Sequence, residues 1–146
     1  LIPIIREQGF VPIVSGTLDL RGADGILVKT EDDVIALRGR LGEDAILGLV
    51  CDDQTSIETI NKCDADYYVL SGDSSLVSRW STQTSAMLLA RGKGITNNNC
   101  GALARAGAGF VDVSDYILSH EKGVMQATVN ILHALDLATQ VPKTLN

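Results

Sequence analysis

The sequence contains few aromatic residues, no long apolar run and no excess of positive charge. Aromatic residues make up 4% of the chain, whereas alanine, glycine and branched aliphatic residues are abundant. That balance is typical of parallel strands covered by helices on both faces. No apolar run approaches the roughly 20 residues that a membrane span needs. The net charge of −6 disfavours nucleic acid and anionic membranes as partners.

Cysteine is also scarce, and its three positions are Cys51, Cys63 and Cys100. Their odd number and the lack of metal-ligand spacing indicate reduced thiols and predict a cytoplasmic protein. Cys51 follows a predicted strand, so a reactive thiol and an inert buried one are both open there. The 146 residues, 45% of them hydrophobic, suit one globular domain. A first residue other than Met is compatible with a fragment of a longer protein.

Six short apolar runs predict β-strands at 11–14, 26–28, 45–50, 67–70, 86–90 and 110–113. Helical periodicity predicts helices at 34–41, 55–62, 76–82, 96–106 and 123–138. Asp32 or Asp33 is expected to cap the first of these helices, and Gly107 is expected to end the fourth. Strands that alternate with helices predict an α/β fold with parallel strands, either a compact barrel or a doubly wound sheet.

The stretch 85–118 carries the clearest candidate site. A predicted strand runs into the loop Arg91-Gly92-Lys93-Gly94, a helix follows, and a second strand ends just before Ser114. Glycines at the start of a helix leave backbone N–H groups open to an anion. Glycine is also common in any turn between a strand and a helix, so the turn alone leaves a purely structural role open.

Several segments match a known pattern in order and spacing: Ala23-Asp24-Gly25-Ile26-Leu27 with Asp32, Ile46-Leu47-Gly48, Asp64-Ala65-Asp66-Tyr67-Tyr68, Gly92-Lys93-Gly94-Ile95-Thr96 with Asn99, and 106–114. Together they resemble the thiamine phosphate synthase family, which includes the TenI-like proteins. The resemblance implies a TIM (βα)₈ barrel, of which this chain would supply units three to eight. Residues 1–146 would then form a single, N-terminally incomplete barrel domain.

The family joins a hydroxymethylpyrimidine diphosphate to a thiazole phosphate with Mg²⁺, which implies a small phosphorylated substrate here and allows a homodimer. By resemblance, Asp32 is a Mg²⁺ ligand, although a helix cap explains it equally. Gly92, Gly94 and Ser114 match the residues that hold the thiazole phosphate. Lys93 replaces a family glycine and adds a cation to the same loop.

Other family positions are not matched. Ser15 and Gly16 stand where the family has Asn and Asp, and Leu27 stands where it has His. The loop 71–75 contains hydroxyl groups but lacks the family's lysine. Two functions therefore stay open: a thiamine phosphate synthase, or a non-catalytic relative that keeps a phosphate site and acts in binding or regulation.

Overall fold

The structure is a computed structural model that describes residues 7–8, 13–15, 23–52, 55–58 and 62–140. The chain divides into two compact units, Leu1–Val69 and Leu70–Asn146. The boundary falls within one strand, and each unit contains parallel strands followed by helices. Asp32 belongs to the first unit, and the predicted phosphate-binding residues belong to the second.

Among its described residues, the first unit contains three strands, the beginning of a fourth, and the helix α1. Their bounds are β1 (Ile13–Ser15), β2 (Gly25–Val28), α1 (Glu31–Leu41), β3 (Ile46–Val50) and β4 (Tyr67–Ser71). Each strand pairs in parallel with the next, as in the partners Ile13 with Gly25, Gly25 with Ile46, and Gly48 with Tyr67. Parallel pairing of consecutive strands requires crossover connections, and α1 forms one of them.

Aliphatic side chains of β3 and α1 form the core of the first unit. Leu47 and Leu49 point to the same face of β3 and are almost fully buried, as are Val34 and Leu37 of α1. The intervening Gly48 lies under an aromatic ring, since a Cβ there would come 2.1 Å from Tyr67 Cζ. Glycine at this position therefore lets the Tyr67 ring lie directly on the strand.

The described part of the second unit, residues 70–140, contains the end of β4, two further strands and four helices. Their bounds are α2 (Ser74–Ser81), β5 (Met87–Arg91), α3 (Cys100–Ala106), β6 (Phe110–Asp112), α4 (Ser114–Ser119) and α5 (Gly123–Thr139). β5 and β6 are parallel, with Leu89 opposite Phe110 and Arg91 opposite Asp112. The carboxyl ends of both strands therefore meet at one edge, which is where ligands bind in parallel α/β sheets.

Close packing of α3 on α5 depends on a glycine. A Cβ at Gly101 would lie 3.1 Å from both Ala134 O and the Ala138 Cβ. Ala127 and Ile131 of α5 are also buried, so small and branched residues form the inner face of this helix. Within the described residues, no helix is long and apolar enough to cross a membrane.

All six predicted strands are present within one or two residues of their predicted bounds, although residues 11 and 12 of the first prediction lie outside the described residues. The predicted bounds of the helices agree less well with the structure. α1 begins at Glu31 and not at 34, and α3 begins at Cys100 and not at 96. The short helix α4 was not predicted. Much of the helix predicted at 55–62 lies outside the described residues.

Candidate phosphate-binding site

A cavity of about 300 Å³ lies at the carboxyl ends of β5 and β6. It is lined by Arg91, Gly92, Lys93, Asp112, Ser114 and Asp115. The parallel register places Arg91 directly opposite Asp112, so the loops that follow the two strands border the same space. Three of the four predicted phosphate-binding residues, Gly92, Lys93 and Ser114, are therefore brought together. The fourth, Gly94, belongs to the same loop but does not line the cavity.

The two loop glycines are not required by the packing of the chain on itself. Neither has a positive φ. A Cβ at Gly94 would meet no atom within 4 Å, and one at Gly92 would make only an ordinary contact of 3.6 Å with Gly72 N. Open space beside an exposed backbone lets a ligand approach closely.

The side chain of Asn99 holds the loop in shape. Asn99 Oδ1 accepts a hydrogen bond from the Thr96 backbone N–H at 2.8 Å, and Asn99 Nδ2 donates to Gly94 O at 2.9 Å. Asn99 is the N-cap residue of α3, but its side chain makes no capping hydrogen bond. Its hydrogen bonds hold the backbone on either side of Ile95, whose side chain is 2% exposed and anchors this segment.

Asp112 brings a carboxylate into the cavity and engages Ser114. Asp112 Oδ1 accepts hydrogen bonds from the Ser114 hydroxyl at 2.5 Å and from the Ser114 backbone N–H at 3.0 Å. The Ser114 hydroxyl is the main cause of a lowered Asp112 pKa; partial burial opposes the shift, and the Ser114 N–H and the charge of Arg91 support it. An incoming anion would therefore compete with Asp112 for both Ser114 donors.

The two cations of the cavity differ in their surroundings. Arg91 Nε lies 3.8 Å from Asp112 Oδ2, so its charge is partly balanced. Lys93 is exposed, and no carboxylate of the described residues forms an ion pair with it. Sequence reasoning singled out both cations but missed Asp112. The sequence feature that could have revealed Asp112 is its position two residues before Ser114, because Asp often accepts a hydrogen bond from the backbone N–H two residues later.

Asp32 lies in the first unit, at a cavity of about 400 Å³ lined by Lys29, Thr30, Glu31, Asp32, Leu49, Val50 and Thr55. The predicted cap by Asp32 or Asp33 is wrong, since α1 begins at Glu31 and its N-cap is Thr30. Thr30 Oγ1 accepts from the Asp33 N–H at 3.2 Å. Asp32 is left exposed in the first helical turn, where a negative charge is favourable.

The fit of Mg²⁺ to Asp32 depends on what else supplies ligands. Among the described residues, no group of three or more His, Cys, Asp or Glu side chains could hold a metal ion. Mg²⁺ is commonly bound by one or two carboxylates together with the phosphates of a substrate. Asp32 could therefore be the single protein carboxylate of such a site, with the remaining ligands supplied by the substrate and water.

The loop after β4 is short and already occupied by its own hydrogen bonds. Only Gly72 and Asp73 separate β4 from α2. Asp73 Oδ1 accepts from the Ser75 hydroxyl at 2.5 Å, and from the N–H groups of Ser75 and Leu76. These hydrogen bonds lower the Asp73 pKa, the Ser75 hydroxyl most of all. Asp73 therefore caps α2, and the Ser75 hydroxyl is already engaged as a donor to that carboxylate.

The three cysteines are free and buried. Burial, reinforced by nearby Cys63 and by the carboxylates of Asp52 and Glu31, raises the pKa of Cys51 to about 12. Burial is also the main cause of the raised pKa values of Cys63 and Cys100. Of the two interpretations of Cys51, the inert buried thiol agrees with these surroundings.

Slow thiol modification of the native protein is therefore expected. A pKa near 12 at Cys51 leaves roughly a thousandfold less thiolate at mildly alkaline pH than an unperturbed cysteine has. Titration with Ellman's reagent should release little colour from folded protein and three equivalents, for Cys51, Cys63 and Cys100, after denaturation in urea. Rapid labelling of Cys51 in the native protein would contradict this description.

Comparison with known proteins gives matches in structure only. No family model and no curated protein sequence matches the chain. A thiamine phosphate pyrophosphorylase from Pyrococcus furiosus is 20% identical, with a TM-score of 0.72 over 94% of this chain and 73% of that one. A structure described as native KDPGal is 16% identical, with a TM-score of 0.71 over 96% and 76%.

A third solved structure is an enolase from Bradyrhizobium in complex with magnesium and mandelic acid. It is 16% identical, with a TM-score of 0.63, and the match covers 93% of this chain and 47% of the enolase. At these identities the comparisons establish the fold. The first two neighbours have TIM-barrel-type folds, and the predicted fold class, an α/β TIM-barrel architecture represented in part, is confirmed.

Proposed function

We propose that this chain binds a small phosphorylated molecule at the carboxyl ends of β5 and β6. The observation that carries the proposal is that Lys93 and the open backbone of Gly92 border one cavity of about 300 Å³. In TIM barrels the loops after the last two strands frequently hold phosphate. Lys93 would supply the charge, and the N–H groups of the loop held by Asn99 would supply directional hydrogen bonds. The cytoplasm is the proposed compartment, because all three cysteines are free thiols.

Reversal of charge at Lys93 tests the proposal. We expect Lys93→Glu to remove the rise in melting temperature that inorganic phosphate or the thiazole phosphate gives the unmodified chain, because the variant places an anion where the ligand's charge would lie. The measurement is a thermal shift series at constant ionic strength. Lys62→Glu, an equal charge change at an exposed loop outside the cavity, is the control and should keep the shift. An unchanged shift in Lys93→Glu would reject the site.

Removal of the carboxylate from the cavity should act in the opposite direction. Asp112→Asn keeps an oxygen that can accept from Ser114 but removes the negative charge next to Arg91. We expect the affinity for inorganic phosphate to rise roughly threefold to tenfold, because a like charge is lost and Arg91 is released from its ion pair. Isothermal titration calorimetry at two salt concentrations measures the change. A weaker affinity would show that Asp112 assists binding and does not compete with the ligand.

The second candidate function is thiamine phosphate synthesis itself. The likeness to a thiamine phosphate pyrophosphorylase over 94% of the chain supports it. Mg²⁺, when bound, would neutralise the charge of a diphosphate, and Asp32 would be its protein ligand. Catalysis is opposed by Gly16, Leu27 and the tight turn at Asp73, where the family resemblance calls for Asp, His and a lysine-bearing loop. These departures favour the binding function.

One assay separates the two candidates. The chain is incubated with hydroxymethylpyrimidine diphosphate, thiazole phosphate and Mg²⁺, and thiamine phosphate is measured by fluorescence after oxidation. Product that depends on Mg²⁺ and is lost in Asp32→Asn would establish the enzyme. No product, together with thermal stabilisation by the thiazole phosphate, is the outcome expected of the binding protein.

A further inference from the structure

The helix α5 exposes a stripe of large apolar side chains. Met125, Val129 and Leu132 are 82%, 54% and 61% exposed. Their spacing of four and three residues places them on one face of the helix. The buried residues Ala127 and Ile131 lie on the opposite face, and α5 packs against α3 and α4 of this unit. A continuous exposed apolar stripe of this kind marks an interaction surface.

Opposite charges stand at the two ends of the stripe. Lys122 precedes the first residue of α5, Asp136 lies in its last turn, and each is seven residues from Val129. Seven residues are two helical turns, so both fall on the same face as Val129. Both are exposed. Asp136 is the only acidic residue within α5, and the helix contains no Lys or Arg.

We propose that two copies of this chain associate through this stripe, α5 against α5 and antiparallel, with the two-fold axis at Val129. That symmetry places Val129 against Val129 of the second copy, and Met125 beside Leu132 of the second copy. It also brings each Lys122 to an Asp136, so that an ion pair closes both ends of the apolar contact. An interface of this kind is isologous, because one patch complements itself.

The arrangement of charges favours a second copy over other occupants. A surface that binds anionic lipid has several cations beside its apolar face, whereas this stripe has one cation and one anion in a chain of net charge −6. Lys122 and Asp136 lie at equal distances from Val129 along the sequence, so the pattern of charges is complementary to its own reversal. The antiparallel direction follows, since a parallel pair would place Lys122 against Lys122 and Asp136 against Asp136.

Sedimentation equilibrium over a wide concentration range tests the association. The unmodified chain is expected to form dimers. Val129→Glu, which places two carboxylates face to face on the axis, should weaken dimer formation by roughly a hundredfold or more. The control Leu137→Glu introduces the same charge at a residue that is also 54% exposed but lies away from the stripe, and it should remain dimeric. Circular dichroism checks that each variant is folded. A monomeric unmodified chain would overturn the proposal.

A charge exchange tests the antiparallel register separately. Lys122→Glu should weaken dimer formation roughly tenfold, because it sets like charges against each other at both ends. The double variant Lys122→Glu/Asp136→Lys exchanges the two charges and should restore the affinity of the unmodified chain. Failure of the exchange to restore dimers would overturn the register. The experiment needs no phosphate, so its outcome is independent of the function proposed for the cavity.

Discussion

Replacement of Arg38 by methionine is expected to lower the free energy of unfolding by about 2–3 kcal/mol, one of the two largest effects predicted for this chain. Arg38 lies in the last turn of α1, and its side chain is 14% exposed. Its guanidinium binds the segments on either side of β3. Nη1 donates to Ala45 O at 2.7 Å, and Nη2 donates to Asp64 O at 2.8 Å.

The energetic cost comes from the groups that Arg38 satisfies. Nη2 also donates to Asp66 Oδ2 at 2.9 Å, and the same oxygen accepts from the Leu47 N–H at 2.7 Å. Loss of the guanidinium leaves a carboxylate and several carbonyl oxygens without their donor, which costs more than the hydrogen bonds themselves contribute. Because the Asp66 side chain is 45% exposed, water recovers part of the loss, and we place the effect below that of a fully buried pair.

Urea denaturation followed by circular dichroism measures the change. Arg40→Met is the matched control, since Arg40 belongs to the same turn of α1 but is exposed. Its unfolding free energy should stay within about 0.5 kcal/mol of the unmodified value. Equal losses in the two variants would show that the cost arises from the helix and not from the contacts of Arg38.

Gly107→Ala, in the second unit, is expected to lower the free energy of unfolding by about 2–3 kcal/mol. Gly107 ends α3 with φ of +112°, in the left-handed region that favours glycine. Space is lacking as well, because an added Cβ would come 2.5 Å from the Ser81 Cβ. Since that atom is next to the backbone of α2, relief requires a helix to move.

The contrasting substitution is Gly39→Ala. Gly39 lies inside α1, and a Cβ there would meet no atom within 4 Å. The Gly39→Ala substitution should therefore raise the free energy of unfolding by about 0.5–1 kcal/mol, since alanine is the better helix former. Opposite signs for the two glycine substitutions, measured by the same urea titration, are the predicted result. If Gly107→Ala left the free energy of unfolding unchanged, α2 and α3 would be less tightly packed than described.

Local sequence patterns were sufficient to predict the strands and most of the helices. The six strands are short, largely apolar runs bounded by polar residues, and a continuous run of this length is typical of a parallel strand buried on both faces. Helix starts were less predictable. Any of Thr30, Asp32 or Asp33 could have capped α1, and the choice of Thr30 depends on where the chain leaves β2. The six residues of α4 have no helical periodicity long enough to detect.

The sequence was sufficient to predict most residues of the candidate site, but not the carboxylate that partly balances its positive charge. Glycines beside Lys93 after an apolar run are visible in the sequence, and the register of β5 with β6 brings them to Ser114. The hydrogen bonds of Ser114 to Asp112 arise only when the chain turns after β6. Arg38 was missed for a related reason, since an arginine on a helix is usually solvated. Only the fold brings it to Asp64 and Asp66.

The most direct test of the central claim compares one ligand with and without its phosphate. Isothermal titration calorimetry is carried out with the thiazole phosphate and with the corresponding thiazole alcohol. If the cavity beside Lys93 recognises phosphate, the phosphorylated compound should bind at least roughly tenfold more tightly, and Lys93→Glu should abolish the difference. Equal affinity for the two compounds in the unmodified chain would contradict the proposed function.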